Sequence, residues 1–315
     1  MTILELVSNY AQYRKSLGEK FETNDRVLKA FVKFIGIDFE VDELTEELST
    51  SFLYHPTNTI TANWFVKHTA LKGLYNWAIS RELIHSFPLS LELPRRLNHI
   101  PAYIYSQSEL NALFSCKIRS TAYHDKCYQT ILRLTYVLGL RISETVNLRL
   151  KDIDLNNRSV TIQTSKFFKT RICPFNESVQ NLICDFLEWR IAQRLPQQDD
   201  AALFYDKKGR PIKLDSFQHL FIRIRSAVGL DRLVAGRYKP RLHDLRHTFA
   251  VNRLRTWYAE GKNVQDLLPV LSTYLGHKTL AYTSVYLTMT PELLKEVNKR
   301  FLDYANPKDY TDERE

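Results

Sequence analysis

The sequence predicts a mainly α protein of two domains, the second of which carries a small antiparallel β-sheet. Three observations predict it. A chain of 315 residues, 44% hydrophobic and 25% charged, is long enough for two ordinary cores and is not disordered by composition. Apolar residues recur at helical spacing through most of the chain. One stretch, Ile153 to Phe175, instead reads as short strands around turn residues.

The first domain, residues 1–94, reads as helices. Its clearest helix spans Thr61 to Ser80, where Trp64, His68, Leu71, Tyr75 and Ala78 form one apolar stripe and Lys67 and Lys72 lie off it. Asp38, Glu40, Asp42, Glu43, Glu46 and Glu47 form an acidic patch expected to face solvent or a protein partner. Pro88, Pro94 and Pro101 then punctuate a stretch containing Arg95 and Arg96, which suits an extended basic linker, placed at 95–104.

The second domain, residues 105–315, opens with Ser106 and Glu109 as a capping box for a helix through Leu113. Asn156-Asn157 suits a turn, Val160-Thr161-Ile162 a strand, and Ile172-Cys173-Pro174 its partner across Ser165 to Thr170. Helical patterning resumes from Val179 to Arg194 and continues to a tail at 291–304, where Leu293, Leu294, Val297, Phe301 and Leu302 have helical apolar spacing.

Charge is unevenly placed. Residues 1–94 hold 9 Lys/Arg against 12 Asp/Glu, so the whole of the +9 net charge belongs to the rest of the chain. A polyanion would dock there, although such a balance also occurs in proteins whose charge serves only solubility. No apolar stretch reaches the length of a membrane span, and Met1-Thr2-Ile3-Leu4-Glu5 lacks a basic region followed by an apolar one, so a cytoplasmic, nucleoid-associated protein without membrane contact is expected. Cys116, Cys127, Cys173 and Cys184 show no C-x-x-C spacing and are expected to be buried reduced thiols rather than metal or disulfide pairs.

Three segments carry chemistry. In Leu138-Gly139-Leu140-Arg141-Ile142-Ser143-Glu144, Gly139 can end one helix and Arg141 begin another, with Glu144 placed to orient the guanidinium. Alone, such an arginine is most often a surface ion pair. In Arg241-Leu242-His243-Asp244-Leu245-Arg246-His247, a helix places His243, Arg246 and His247 on one face. This resembles the zinc signature H-E-x-x-H, but Arg246 would set a cation beside the metal and no third ligand is evident, so no metal is expected. A partly buried His247 bonded to backbone is at least as good a reading as a catalytic one. In Leu275-Gly276-His277 to Tyr286, Gly276 is a natural helix stop and Pro269 a natural first-turn residue of a short preceding helix. Tyr286 is one of 17 tyrosines, and only the company of His277 raises it above packing.

Order, spacing and local sequence of these segments resemble the catalytic domain of the tyrosine recombinases, or phage-type integrases, from about Tyr105 to Met289. The resemblance places the family's arginine of the G-L-R-x-S-E box at Arg141, the histidine and arginine of the H-x-L-R-H box at His243 and Arg246, the histidine after L-G at His277, and the nucleophile at Tyr286. It places the hairpin lysine at Lys166, with Lys169 in reserve. It implies a helical core-binding domain at 1–94 that clamps DNA, matched only in length, position and character.

The resemblance implies a 3′-phosphotyrosyl intermediate with a free 5′-hydroxyl, formed without ATP or divalent metal. Arg141 and Arg246 would clamp the non-bridging oxygens, His243 and His277 would assist proton removal or bond the phosphate, and Lys166 would protonate the leaving oxygen. It also implies a homotetramer on two duplexes, exchanging strands through a Holliday junction. The tail at 291–304 could dock on a neighbouring protomer or pack on its own domain. Arg95, Arg96, Lys169, Arg237, Lys239 and Arg241, with Arg232, are candidate phosphate contacts. Two other readings compete. A type IB topoisomerase would share the chemistry without pairing sites, and a non-catalytic DNA-binding protein would have kept the fold alone.

Overall fold

The computed structural model describes residues 1–90, 92–95, 102–118, 121–163, 170–233 and 238–288. The chain divides into two compact units, Met1–Asn98 and His99–Glu315.

The first unit is helical. Helix α1 (Ile3–Ser16) begins with a reciprocal cap in which Thr2 Oγ1 accepts from Glu5 N and a Glu5 carboxylate oxygen accepts from Thr2 N. Helices α2 (Glu22–Ile35), α3 (Glu46–Tyr54) and α4 (Ala62–Ile79) complete it around Leu6, Leu28, Phe31, Leu71 and Leu74, all fully buried. The stripe Trp64, His68, Leu71, Tyr75 and Ala78 faces this core, and the acidic patch from Asp38 to Glu47 is exposed.

Lys67 departs from expectation. Lys72 is exposed, but Lys67 is buried, donating from Nζ to the Phe52 and His55 carbonyls at 2.7 Å each and sitting 4.1 Å from the Phe52 ring centre. The end of α3 leaves carbonyls without intrahelical partners, and the long lysine stem reaches them while its methylenes stay in the core.

The second unit begins with α5 (Gln107–Ser115), capped by Ser106 and Glu109, then α6 (Ala122–Val137) and α7 (Ile142–Val146). A three-stranded antiparallel sheet follows, ordered β1 (Ile153–Asp154), β2 (Ser159–Ile162), β3 (Arg171–Pro174), with Val160 opposite Cys173 and Thr161 opposite Ile172. The strand β1 forms the edge that leads into the turn expected at Asn156-Asn157. Helices α8 (Glu177–Ala192), α9 (Leu214–Ala227), α10 (Leu242–Ala259), α11 (Val264–Leu275) and α12 (Ala281–Ser284) lead into a 3-10 turn, Val285–Thr288.

Two apolar clusters hold this unit. One gathers Leu110, Ile131, Leu132, Val160, Phe186 and Phe217, and the other lies between α10 and α11. Helix α10 serves both: Leu242 and Leu245 enter the first, while Ala250, Val251 and Leu254 enter the second. Its first two turns therefore sit where the clusters meet, rigidly supported on both sides. Among the described residues no helix is long and apolar enough to cross a membrane. All four cysteines are free, with Cys127 and Cys173 buried and Cys116 and Cys184 partly exposed.

Candidate active site

Each site segment is held by a local device that its sequence explains. Gly139, just past the end of α6, has φ +57°, and a Cβ there would lie 2.3 Å from Phe249 Cδ1, so glycine alone lets α10 pack close. This tight turn delivers Arg141 to the N-cap of α7, where its backbone N–H donates to Glu144 Oε2 at 2.8 Å. Arg241 caps α10 in the same manner, its N–H donating to Asp244 Oδ2 at 2.8 Å. The Asp244 carboxylate thus secures the helix start and the Arg241 side chain.

Helix α11 is longer than its proline suggested. Asn263 caps it by accepting from Gln265 N at 3.1 Å, and Pro269 lies inside it rather than in its first turn. The helix forgoes one hydrogen bond at Pro269 but gains a longer apolar face with Val264, Leu268, Leu271 and Leu275 buried. It ends at Gly276, in the left-handed conformation at φ +66°.

Three arginines converge on that helix end. Arg171 Nε donates to the Tyr274 carbonyl at 2.9 Å, Arg246 Nη2 donates to the Leu275 carbonyl, and Arg141 Nη2 donates to the Gly276 carbonyl at 3.2 Å. Consecutive carbonyls at a helix C-terminus lack backbone partners and carry partial negative charge, which suits guanidinium groups. Arg246 also donates to Gly139 O at 2.9 Å and is almost wholly buried. Burial, then the Arg141 charge, lowers its pKa to about 10, so it stays charged at neutral pH.

Glu144 balances this positive cluster. It accepts from Arg141 Nη1 at 2.8 Å and from Arg171 at 3.0 and 2.7 Å, with Arg246 Nη1 3.9 Å away. Burial opposes its ionisation, but hydrogen bonds and charge from Arg171, together with Arg141, outweigh that effect and hold its pKa at about 2. Arg171, the first residue of β3, was not singled out from the sequence; its cationic side chain at the start of a predicted strand was the signal available. A groove of about 870 Å³ opens beside Arg141 and Glu144, lined further by Asn147, Arg149, Lys151 and Gln163.

The histidines and Tyr286 occupy the other side. Tyr286 lies in the 3-10 turn, 2% exposed, packed with Val251, Leu254 and Leu275. Burial raises its pKa, against the pull of the Arg246 and Arg141 charges. His247 Nδ1 is 3.1 Å from Tyr286 Oη. Its partner is therefore a side-chain hydroxyl and not backbone. His243 meets His247 edge to face at 4.7 Å between ring centres. The His277 ring centre is 6.1 Å from that of Tyr286, and its Nδ1 pairs with Thr283 Oγ1 at 2.7 Å. Tyr282, one helical turn earlier, is 61% exposed.

All three rings are held neutral. Desolvation first, then the charges of Arg246 and Arg141, lower His243 and His277 to about 4; burial, then His243, Arg241 and Arg246, lower His247 to about 3. A neutral imidazole can accept a proton, so the arrangement joins fixed positive charge to proton-accepting groups around one phenol.

The candidate site residues Arg141, Glu144, His243, Arg246, His277 and Tyr286 thus converge in one place. Lys166, Lys169, Arg96, Arg237 and the tail at 291–304 lie outside the described residues. Arg95 is exposed in the first unit. The remaining basic candidates hold ion pairs: Lys239 with Asp231 at 3.3 Å, Arg241 with Asp244 at 3.1 Å, and Arg232 with Glu109 at 2.9 Å.

The comparisons with known proteins agree with one another. A model described as the phage integrase family matches residues 104–292. The integrase/recombinase designated y4rB of Sinorhizobium fredii is 30% identical over 95% of this chain and 96% of its own. Tyrosine recombinase XerC of Bacillus pumilus is 29% identical over 73% of this chain and 71% of its own. Among solved structures, the Tn1549 transposon integrase in complex with transposon right-end DNA has a TM-score of 0.70 at 17% identity, covering 96% of this chain and 100% of that one. A lambda integrase dimer bound to a core site has a TM-score of 0.66 at 17% identity, covering 89% and 96%. These two show the shared fold. With a family model across more than half of its length and a 30% identical relative along nearly all of it, the chain belongs to the phage integrase family of tyrosine recombinases, enzymes of site-specific DNA recombination.

Proposed function

We propose that the chain cleaves and rejoins DNA strands at defined sites by attack of Tyr286 Oη on a backbone phosphate, leaving a 3′-phosphotyrosyl link and a free 5′-hydroxyl. The observation that carries this reading is the meeting of Tyr286 with His247 and His277, with His243 packed on His247, beside the Arg141 and Arg246 guanidinium groups. A buried phenol is a weak nucleophile and a phosphodiester an anion, so the reaction needs charge stabilisation and proton handling together. Arg141 and Arg246 hold the non-bridging oxygens and oppose the charge that grows in the pentavalent transition state. Lys166 protonates the leaving 5′-oxygen, with Lys169 as the alternative.

Because the phosphotyrosine conserves the bond, rejoining needs no nucleoside triphosphate. Attack by the 5′-hydroxyl of a second duplex gives the recombinant strand, and two rounds on two duplexes pass through a Holliday junction held by four protomers. The tail at 291–304 links neighbouring protomers in that assembly, residues 1–94 clamp the DNA, and residues 105–315 form the catalytic domain.

A pool of nicked duplexes with a randomised core tests the reading. Adducts isolated under denaturing conditions yield the preferred site, and two copies of it on one plasmid then recombine to excise the DNA between them. Relaxation of the plasmid without exchange between the sites favours the topoisomerase reading. Binding with no adduct favours a DNA-binding protein that has lost the reaction.

A further inference from the structure

We infer that His247 is the base of the reaction: its Nδ1 accepts the Tyr286 hydroxyl proton as Tyr286 Oη attacks phosphorus. The inference rests on the phosphotyrosyl reading above and assigns a group outside the residues which the resemblance supplied. Two histidines, His247 and His277, meet the phenol, a third, His243, packs on His247, and geometry separates them. His277 Nδ1 is occupied by Thr283 Oγ1 at 2.7 Å. His243 reaches its neighbour His247, ring against ring, at 4.7 Å. His247 Nδ1 faces Tyr286 Oη at 3.1 Å, within the distance a general base requires.

The placement is not accidental to the fold. His247 follows Arg246 directly on α10, so the helix that fixes the buried guanidinium fixes the imidazole as well. Thr248, the next residue, is also fully buried and bonded to the α10 backbone and to Tyr105 N. The ring therefore has little freedom to leave the phenol.

In the step, the Oη–P bond forms while the P–O5′ bond breaks. The phenol proton moves to His247, giving an imidazolium, and the leaving 5′-oxygen takes a proton from the separate acid, Lys166 in the reading above. Rejoining reverses both transfers, and His247 returns its proton to Tyr286.

The charges around His247 also give the base a switch. It faces His243, Arg241 and Arg246 on its own helix, His277 from the loop after α11, and Tyr286 from the 3-10 turn. Burial first, and then its cationic neighbours, of which Arg241 and Arg246 carry the fixed charge, depress its proton affinity in the DNA-free chain. A phosphate anion between Arg141 and Arg246 offsets that field, so the base gains proton affinity when substrate is bound.

The test uses the nicked duplex recovered by adduct capture, in two forms: with an ordinary scissile phosphate, and with a 5′-bridging sulfur whose departure needs no acid. His247→Gln and His247→Ala are compared with the wild-type chain and with Lys166→Ala. The expected result is a fall in adduct formation of about 100-fold or more at neutral pH for both His247 variants, with wild-type retention of the duplex. The loss shrinks at high pH, where the phenol ionises unaided, and persists with bridging sulfur, whereas sulfur restores Lys166→Ala. Imidazole restores His247→Ala in proportion to its free-base form. Adduct formation by either variant near the wild-type rate, or recovery of the His247 variants by bridging sulfur, overturns the assignment. Failure of the wild-type chain to form any adduct strikes the phosphotyrosyl reading instead.

Discussion

Arg171 and Glu144 meet in a two-point ion pair, 3.0 and 2.7 Å between atoms, with both side chains less than a tenth exposed. The pair links the sheet to α7, and through Arg141 and the Tyr274 carbonyl it links both to the end of α11. Arg171→Ala takes two charge-assisted hydrogen bonds from Glu144, which keeps Arg141 as its partner, and is expected to lower unfolding free energy by about 1.5–3 kcal/mol, read from urea denaturation. Arg171→Lys keeps the charge but not the planar fork and should recover only part of that loss. Equal stability of Arg171→Ala and wild type would remove the pair from the account.

Acid should weaken the fold in two stages. The folded pKa values of His243, His247 and His277 lie below the ordinary 6.5, at about 4, 3 and 4, so the folded state binds fewer protons than the unfolded one. Their contribution is complete above pH 6.5 and is lost as pH falls through about 4 for His243 and His277 and about 3 for His247. Glu144, lowered from 4.5 to about 2, gives a contribution present above pH 4.5 and lost as pH approaches 2. Thermal midpoints measured from pH 8 downward should therefore begin to fall near 6.5, and Glu144→Gln should flatten only the lower stage.

Glycine at the α6–α7 turn is required twice over. Gly139→Ala combines a left-handed φ with a contact 2.3 Å from Phe249 Cδ1, and Gly229→Ala has the same sign of φ, +73°, with nothing within 4 Å. The first should cost about 1–3 kcal/mol more than the second, because only there must packed atoms move. Comparable losses in chemical denaturation would show that the approach of α10 to this turn is softer than its geometry indicates.

The sequence revealed the residues whose identity is their signal. Arg141, His243, Arg246, His277 and Tyr286 stand in an order and spacing that few other chemistries use, and Gly139 and Gly276 announced the turns that deliver them. It did not reveal Arg171, whose importance depends on β3 passing beneath the end of α11. His247 was visible but ambiguous, since helical spacing places it beside Arg246 without saying what it faces. Lys67 misled because amphipathic patterning assigns a charge to solvent, whereas its stem reaches the free carbonyls of α3. Pro269 misled for a similar reason: its preference for a first turn yielded to the apolar face of a longer helix.

The ion pairs of Lys239 and Arg241 bear on DNA binding. Each cation is about half exposed and already has a carboxylate partner, Asp231 or Asp244. If both also meet phosphate, Lys239→Gln and Arg241→Gln should each reduce the slope of log affinity against log salt by about 1. Unchanged slopes in fluorescence anisotropy titrations would confine both residues to holding the approach to α10.

The identity of the nucleophile is the point on which the rest depends. Digestion of the covalent adduct and mass spectrometry of the DNA-linked peptide should place the phosphate on Tyr286, and Tyr286→Phe should abolish the adduct while leaving DNA affinity intact. A DNA-linked peptide carrying the phosphate on Tyr282, or an adduct that survives Tyr286→Phe, would contradict the account.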